Sequence, residues 1–273
     1  MVFYSLTFFR GDHWDEGGGR DDRYLIISAN RGVADYLFRL IHERSDPVAR
    51  KKEFHELHRI SPQMWSWCGQ NAKVLCTTID KINLDKAGLP SEVSKRIRGK
   101  VFYQHLGNWD NSARIYPILP DLDVADHING RIFCIRNKRV PGRFWSSDDK
   151  GSIVISTVKR AKFLIEVEDK PDVKDLLMVP WDKVQLTLMR PASKQDKEAG
   201  KYPINVRNDG SLEALTSYNR NPFYFKLGDL FTGRFGIAVQ GKTETGEASK
   251  QEETLVPLLC DPKFEGGEIW ELC

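Results

Sequence analysis

One cadence constrains this chain more than any other feature. An apolar run, a polar turn and a closing strand that alternates apolar, charged and apolar residues occurs three times in the second half. Ile153-Val154-Ile155 leads through Thr157 to Lys162 into Phe163-Leu164-Ile165-Glu166-Val167. The stretch from Ser211 leads through the turn SYNRNP into Phe223-Tyr224-Phe225-Lys226-Leu227, and Thr254 to Leu259 leads into Glu268-Ile269-Trp270-Glu271-Leu272. Runs rich in β-branched and aromatic residues with a polar turn between them predict hairpins. Aligned by their endings, the three copies place Ile165, Phe225 and Trp270 at one position and Val167, Leu227 and Leu272 two residues later. Side chains two apart share a face of a strand, so these residues face a core while Glu166, Lys226 and Glu271 face water. The repeats are spaced unequally, by 60 and 45 residues, which leaves room for turns of different length.

Each copy also has an apolar strand upstream: Arg131 to Ile135, Val184 to Leu188, and Phe235 to Val239. Three copies of a four-strand unit within residues 128–273 resemble a β-trefoil, and the terminal Glu268-Ile269-Trp270 resembles the Gln-x-Trp signature of ricin-B-type lectin repeats, with Glu268 in place of the Gln. The resemblance implies a short closed barrel without exposed strand edges, and a protein that binds a ligand. An antiparallel β-sandwich with hairpins of similar length is the alternative architecture.

At 273 residues the chain holds one large core or two modest ones, and the pattern changes near residue 124. Helical and strand patterns mix before that point and strands dominate after it. The expectation is therefore a small α+β domain over residues 1–124 and an all-β, trefoil-like domain over 125–273. Hydrophobic residues make up 40% and charged residues 29%, a globular composition, and no apolar run reaches the length of a transmembrane helix. The N-terminus lacks the basic and apolar regions of a signal peptide. Five cysteines without CxxC spacing argue against a disulfide framework and a zinc cluster, so a reducing, cytoplasmic setting is expected. With 41 Lys and Arg against 38 Asp and Glu, overall charge points to neither nucleic acid nor a membrane as partner.

Taken in order, Val2 to Phe9 and Tyr24 to Ile27 read as strands, and the turn after Ile27 opens a helix with Val33, Leu37, Leu40 and Ile41 on its apolar stripe. The glycine-rich loop between the strands carries Asp12, Asp15, Glu16, Asp21 and Asp22, which repel phosphate, and it lacks the spacing of a calcium loop. Lys51 to Ile60 places His55 and His58 three apart, but HELH is not HExxH and no third ligand is in sight. Ser61-Pro62 is a helix start signal. Trp65, Cys68, Ala72, Leu75, Ile79 and Ile82 then follow a helical stripe to about Leu84. A further helix from Ser91 ends on the cations of KRIRGK, which suit a helix C-terminus.

Candidate sites follow from chemistry at these positions. Cys68, His105, Asn108 and Asp110 have the chain order of papain-like hydrolases, although a thiol on an apolar stripe behaves as a small hydrophobe and not as a thiolate. Arg10, Ser156 and Glu166-Val167-Glu168 are similar to the Arg, Ser-Thr-Ser, Glu-x-Glu order of ADP-ribosyltransferases, without that family's spacing. A glycan ligand needs an aromatic platform beside fixed polar groups. Trp145 with Asp148 and Asp149 offers this in the first repeat, and Tyr218 with Asn219 and Asn221 offers it in the second. The sequence reading is thus a non-enzymatic binding protein for a glycan or protein ligand, requiring no cofactor or metal, with an enzyme sited in the first domain or the interdomain cleft as the alternative.

Overall fold

The computed structural model describes residues 2–10, 22–44, 54–69, 71–108, 125–190, 200–215, 223–237, 256–260 and 267–273. The chain divides into two compact units, Met1–Asp126 and His127–Cys273.

In the first unit, β1 (Phe3–Arg10), β2 (Asp22–Ser28), β3 (His55–Ser61), β4 (Met64–Cys68) and β5 (Val101–Asn108) form one sheet in the order β3-β4-β1-β2-β5. Only β1 and β4 run parallel. Helices α1 (Arg31–Arg44), α2 (Val74–Asn83) and α3 (Ser91–Ile97) complete the unit. Asn30 starts α1, its Oδ1 accepting the N–H of Val33 at 3.0 Å, and Val33, Leu37 and Ile41 are buried along the expected stripe. Beside them the buried Asp35 carboxylate accepts from Arg59 of β3 at 2.6 Å and from Arg31 at 3.2 Å. Arg59 also donates to Asp126 at 2.7 Å and lies over the Phe38 ring, so every charge in this buried network has a counterion.

The helix expected from Ser61 to Leu84 is replaced by a hairpin and a shorter helix. Ser61 Oγ accepts the N–H of Gln63 at 3.2 Å, so Ser61-Pro62 punctuates the tight turn between β3 and β4. Trp65 and Trp67, two apart, then share one face of β4, where Trp65 meets Phe38 and Trp67 meets Phe9 and Phe54. Helix α2 begins only at Val74, and Leu75, Ile79 and Ile82 are its buried residues. His55 and His58 accordingly lie on a strand.

The second unit is mostly β. Its strands are β6 (Arg131–Phe133), β7 (Ile135–Asn137), β8 (Phe144–Ser147), β9 (Ile153–Ser156), β10 (Lys162–Val167), β11 (Lys183–Arg190), β12 (Gly200–Val206), β13 (Leu212–Ala214), β14 (Phe225–Lys226), β15 (Phe235–Ile237), β16 (Val256–Cys260) and β17 (Trp270–Leu272). All its strand pairings are antiparallel. One sheet has the order β13-β12-β11-β10-β6 with β14 also on β11, and the other the order β15-β16-β9-β8-β7-β17. The stretch of β6 and β7 serves both, pairing β10 through its first half and β17 and β8 through its second. At the join, Cys134 and Cys273 exchange both backbone hydrogen bonds, at 2.8 and 3.0 Å.

The expected hairpins are not formed. Strand β9 pairs β8 and β16, whereas β10 pairs β6 and β11; β13 and β14 likewise take different partners, as do β16 and β17. The physical reason is burial. Each run in the first copy is buried almost throughout, Ile153 to Ser156 and Phe163 to Ile165, and a two-stranded ribbon could not cover both faces of either. The core between the strands is aromatic: Trp145 has its ring centroid 5.1 Å from Phe235 and 5.8 Å from both Phe163 and Trp270, and Phe225 lies 5.8 Å from Phe235.

Candidate functional site

The sheet register separates the papain-like set. Cys68 pairs with Arg10 while its neighbour Trp67 pairs with Phe9, so Cys68 projects to the face opposite Phe9. His105 pairs with Tyr24 on the Phe9 face, three strands away. Its Nε2 lies 3.1 Å from Asp22, and its ring lies over Tyr24 at 5.0 Å. Cys68 is buried and its thiol donates to Glu56 Oε2 at 3.3 Å. A thiol and imidazole on opposite faces cannot share a proton, so these residues form no catalytic pair. The side chain of Asn108 and all of Asp110 lie outside the described residues. Another thiol, Cys76 on α2, does sit with Tyr24, Tyr103 and Asp80 under the edge strand β5. Burial, followed by the Asp80 charge, pushes it up to about 11, which keeps it protonated and weakly nucleophilic.

The ADP-ribosyltransferase-like set fares no better. Arg10 is occupied by Glu56, Ser156 caps a turn, and Glu168 pairs with Lys183 at 3.2 Å.

Trp145 is not a platform. Phe144 to Ser147 is strand β8, and the Trp145 side chain is fully buried inside the aromatic core, its indole N–H without a conventional partner among the described residues. Asp148 terminates the strand: its Oδ1 accepts the N–H of Ser152 at 2.7 Å and its carbonyl that of Gly151. Gly151 completes this turn at φ 89°, a left-handed backbone that favours glycine. Asp149 is exposed at the tip. The glycan site expected in the first repeat thus loses the Trp145 ring, which is consumed by the core. Tyr218, Asn219 and Asn221 lie outside the described residues.

A different surface is built at the opposite end of β8. Arg136, Phe144 and Ser156 stand in one row across β7, β8 and β9, so the turn leaving β7 and the turn leaving β9 emerge side by side, within about 10 Å at adjacent-strand spacing. Both are fixed by a buried polar side chain at the strand end. Asn137, fully buried, accepts the N–H groups of Arg139 at 2.9 Å and Val140 at 2.8 Å through Oδ1, and donates through Nδ2 to Glu268 at 2.9 Å. Ser156 Oγ accepts the N–H groups of Val158 at 3.0 Å and Lys159 at 2.7 Å, and Ala161 N–H reaches back to the Trp145 carbonyl at 2.9 Å. These are side-chain-mimicked turns, stiffer than an unsupported loop.

The two turns and the first residue of β10 carry Lys138, Arg139, Arg143, Lys159, Arg160 and Lys162 and no acidic residue. All but Arg143 are exposed. Nearby carboxylates are already engaged, Glu268 by Asn137 and Glu271 by Arg136 at 2.6 Å. Among the described residues, Lys138, Arg139, Arg143, Arg160 and Lys162 have no ion-pair partner. The result is a positively charged end on a nearly neutral chain, held on turns that are pinned by their own strand-end side chains.

Among the described residues no group of three His, Cys, Asp or Glu side chains is placed to hold a metal ion, and no helix is long and apolar enough to cross a membrane. No protein-family model matches this chain, and no curated protein matches it either.

Proposed function

We propose that this chain is a non-enzymatic binding protein that works through its C-terminal unit, and that the unit is a β-trefoil. Strand pairing supports the trefoil reading. The upstream strand of each copy (β6 with β7, then β11, then β15) alternates around a ring with the closing strands β10, β14 and β17. Hydrogen bonds link β6 to β10, β10 to β11, β11 to β14 and β17 to β7, and an isolated bridge links Phe235 of β15 to Glu268, two residues before β17. Between β14 and β15 the Phe225–Phe235 ring contact fills the remaining step. Of the other strands, β9, β13 and β16 meet one another through the β9–β16 pairing and the bridges Ser152–Glu213 and Ser211–Leu259, as the hairpins that cap such a barrel would.

The observation that carries the binding role is the pair of pinned basic turns. A protein surface that holds several cations without counterions, on turns fixed before any ligand arrives, loses little conformational entropy on engaging an anionic partner. The partner is therefore a ligand with repeated negative charge, in place of a neutral glycan stacked on Trp145.

Retention on immobilised heparin tests this. The double reversal Arg139→Glu with Arg160→Glu should elute at clearly lower salt than the parent, while Lys174→Glu, an exposed reversal outside both turns, should shift elution much less. Equal elution of the double reversal and the parent would remove the turns from the binding site.

A further inference from the structure

The tips of the two basic turns are not polar. Val140 is 43% exposed at the first tip and Val158 is 76% exposed at the second, each next to cations and each held outward by the Asn137 or Ser156 hydrogen bonds to its own N–H. We infer that this end of the unit docks on an anionic phospholipid surface, with Val140 and Val158 entering the headgroup layer while the flanking Lys and Arg side chains meet the phosphates. The inference rests on the anion-binding reading of the same turns and adds what the anion is attached to.

Three observations favour lipid over nucleic acid or an acidic protein segment. An exposed valine gains nothing from water or from a phosphodiester backbone, whereas the headgroup boundary accepts apolar side chains directly beside cations. A single-strand nucleic-acid surface interleaves its cations with aromatic rings on which bases stack, and neither turn has an aromatic residue between its strands. The turns also stand side by side at one end of neighbouring strands, so both tips can reach a flat layer together. Juxtaposed cations on an anionic leaflet contribute about a five-fold gain in affinity each. Four exposed cations, Lys138, Arg139, Arg160 and Lys162, therefore suffice for reversible attachment.

The test uses the full chain in sedimentation with vesicles of phosphatidylcholine alone and of phosphatidylcholine mixed with phosphatidylserine, in parallel with heparin retention. The expected result is binding to the mixed vesicles only. The double variant Val140→Ser with Val158→Ser should bind them roughly ten-fold more weakly, with an unchanged heparin profile and melting temperature. Binding to heparin without binding to vesicles would overturn the lipid inference and leave the anion-binding reading standing. Binding to neither would overturn both. Tighter binding to a single-stranded oligonucleotide than to mixed vesicles, or equal vesicle binding by the valine-to-serine variant, would likewise refute insertion of the tips.

Discussion

Replacing Trp145 separates a core role from a ligand-platform role without ambiguity. The side chain is fully buried and its ring is in edge-on or tilted contact with Phe163, Phe235 and Trp270. Truncation to alanine removes the largest side chain at the centre of that cluster, and a buried Trp-to-Ala change costs about 3–5 kcal/mol through lost transfer energy and the cavity left behind. For a unit of this size that corresponds to a fall in melting temperature of roughly 10–15 °C. Trp145→Phe is the informative companion. It loses part of the buried ring, costing about 1–2 kcal/mol, but it also removes an indole N–H that has no conventional acceptor, which offsets roughly 1 kcal/mol of that loss. Thermal and urea unfolding of both variants, followed by circular dichroism, should therefore show a large loss for alanine and a small one for phenylalanine. A platform residue would behave oppositely, with melting unchanged and ligand binding lost in both. An alanine variant that melts with the parent would refute the packing argument, and a phenylalanine variant as damaged as the alanine one would refute the assignment of an unsatisfied indole.

Asn137→Ala withdraws the acceptor of two turn N–H groups and the donor to Glu268, so it should destabilise the unit by about 2 kcal/mol. Amide exchange at Arg139 and Val140 should accelerate in the same variant, and unchanged exchange there would deny Asn137 its role in fixing the turn. In the first unit, Cys76 and Tyr103 are raised to about 11 and about 12, mainly by burial, then by the Asp80 charge for Cys76 and the bond to Asp80 for Tyr103. A group raised in the folded state keeps its proton after the unfolded chain has lost it. Its contribution is therefore fully present below pH 9, the ordinary thiol value, and is lost as pH rises through about 11 to 12. The urea midpoint of the first unit should fall across that window, less steeply in Cys76→Ala, and a flat midpoint would show these groups to be freely solvated.

Strand existence was readable from residue order where alternation and side-chain shape agreed, as in Phe163 to Val167 and Val184 to Leu188. Partnership was not. The segment from Ser156 to Lys162 has the length and polarity of a hairpin turn, yet it carries the chain from a strand paired with β8 to one paired with β6, because nearly every residue of the flanking runs needs cover. Local polarity reports that the chain turns; which strands meet afterwards depends on the whole core. The first unit shows the converse failure. Trp65, Cys68 and Ala72 fit a helical period by accident, while the competing signal, two tryptophans spaced for one face of a strand after Ser61-Pro62, was equally present. Ser61 reaching its own backbone two residues on is what decides it in favour of a hairpin.

The basic surface was hidden for a related reason. Both of its halves, KRVPGR and TVKRAK, stand openly in the sequence, but each alone is an ordinary solvated turn, and 13 residues of chain separate Arg143 from Thr157. Only strand β8 makes them one surface: its first residue, Phe144, pairs with Arg136 on one side and Ser156 on the other. The same strand buries Trp145 one residue later. The burial of Trp145 and the meeting of the two basic turns thus follow from one element, the short strand β8. Placing Trp145 inside takes the aromatic ring away from Asp148 and Asp149 at one end of β8, and the pairing that holds it there brings the cations together at the other.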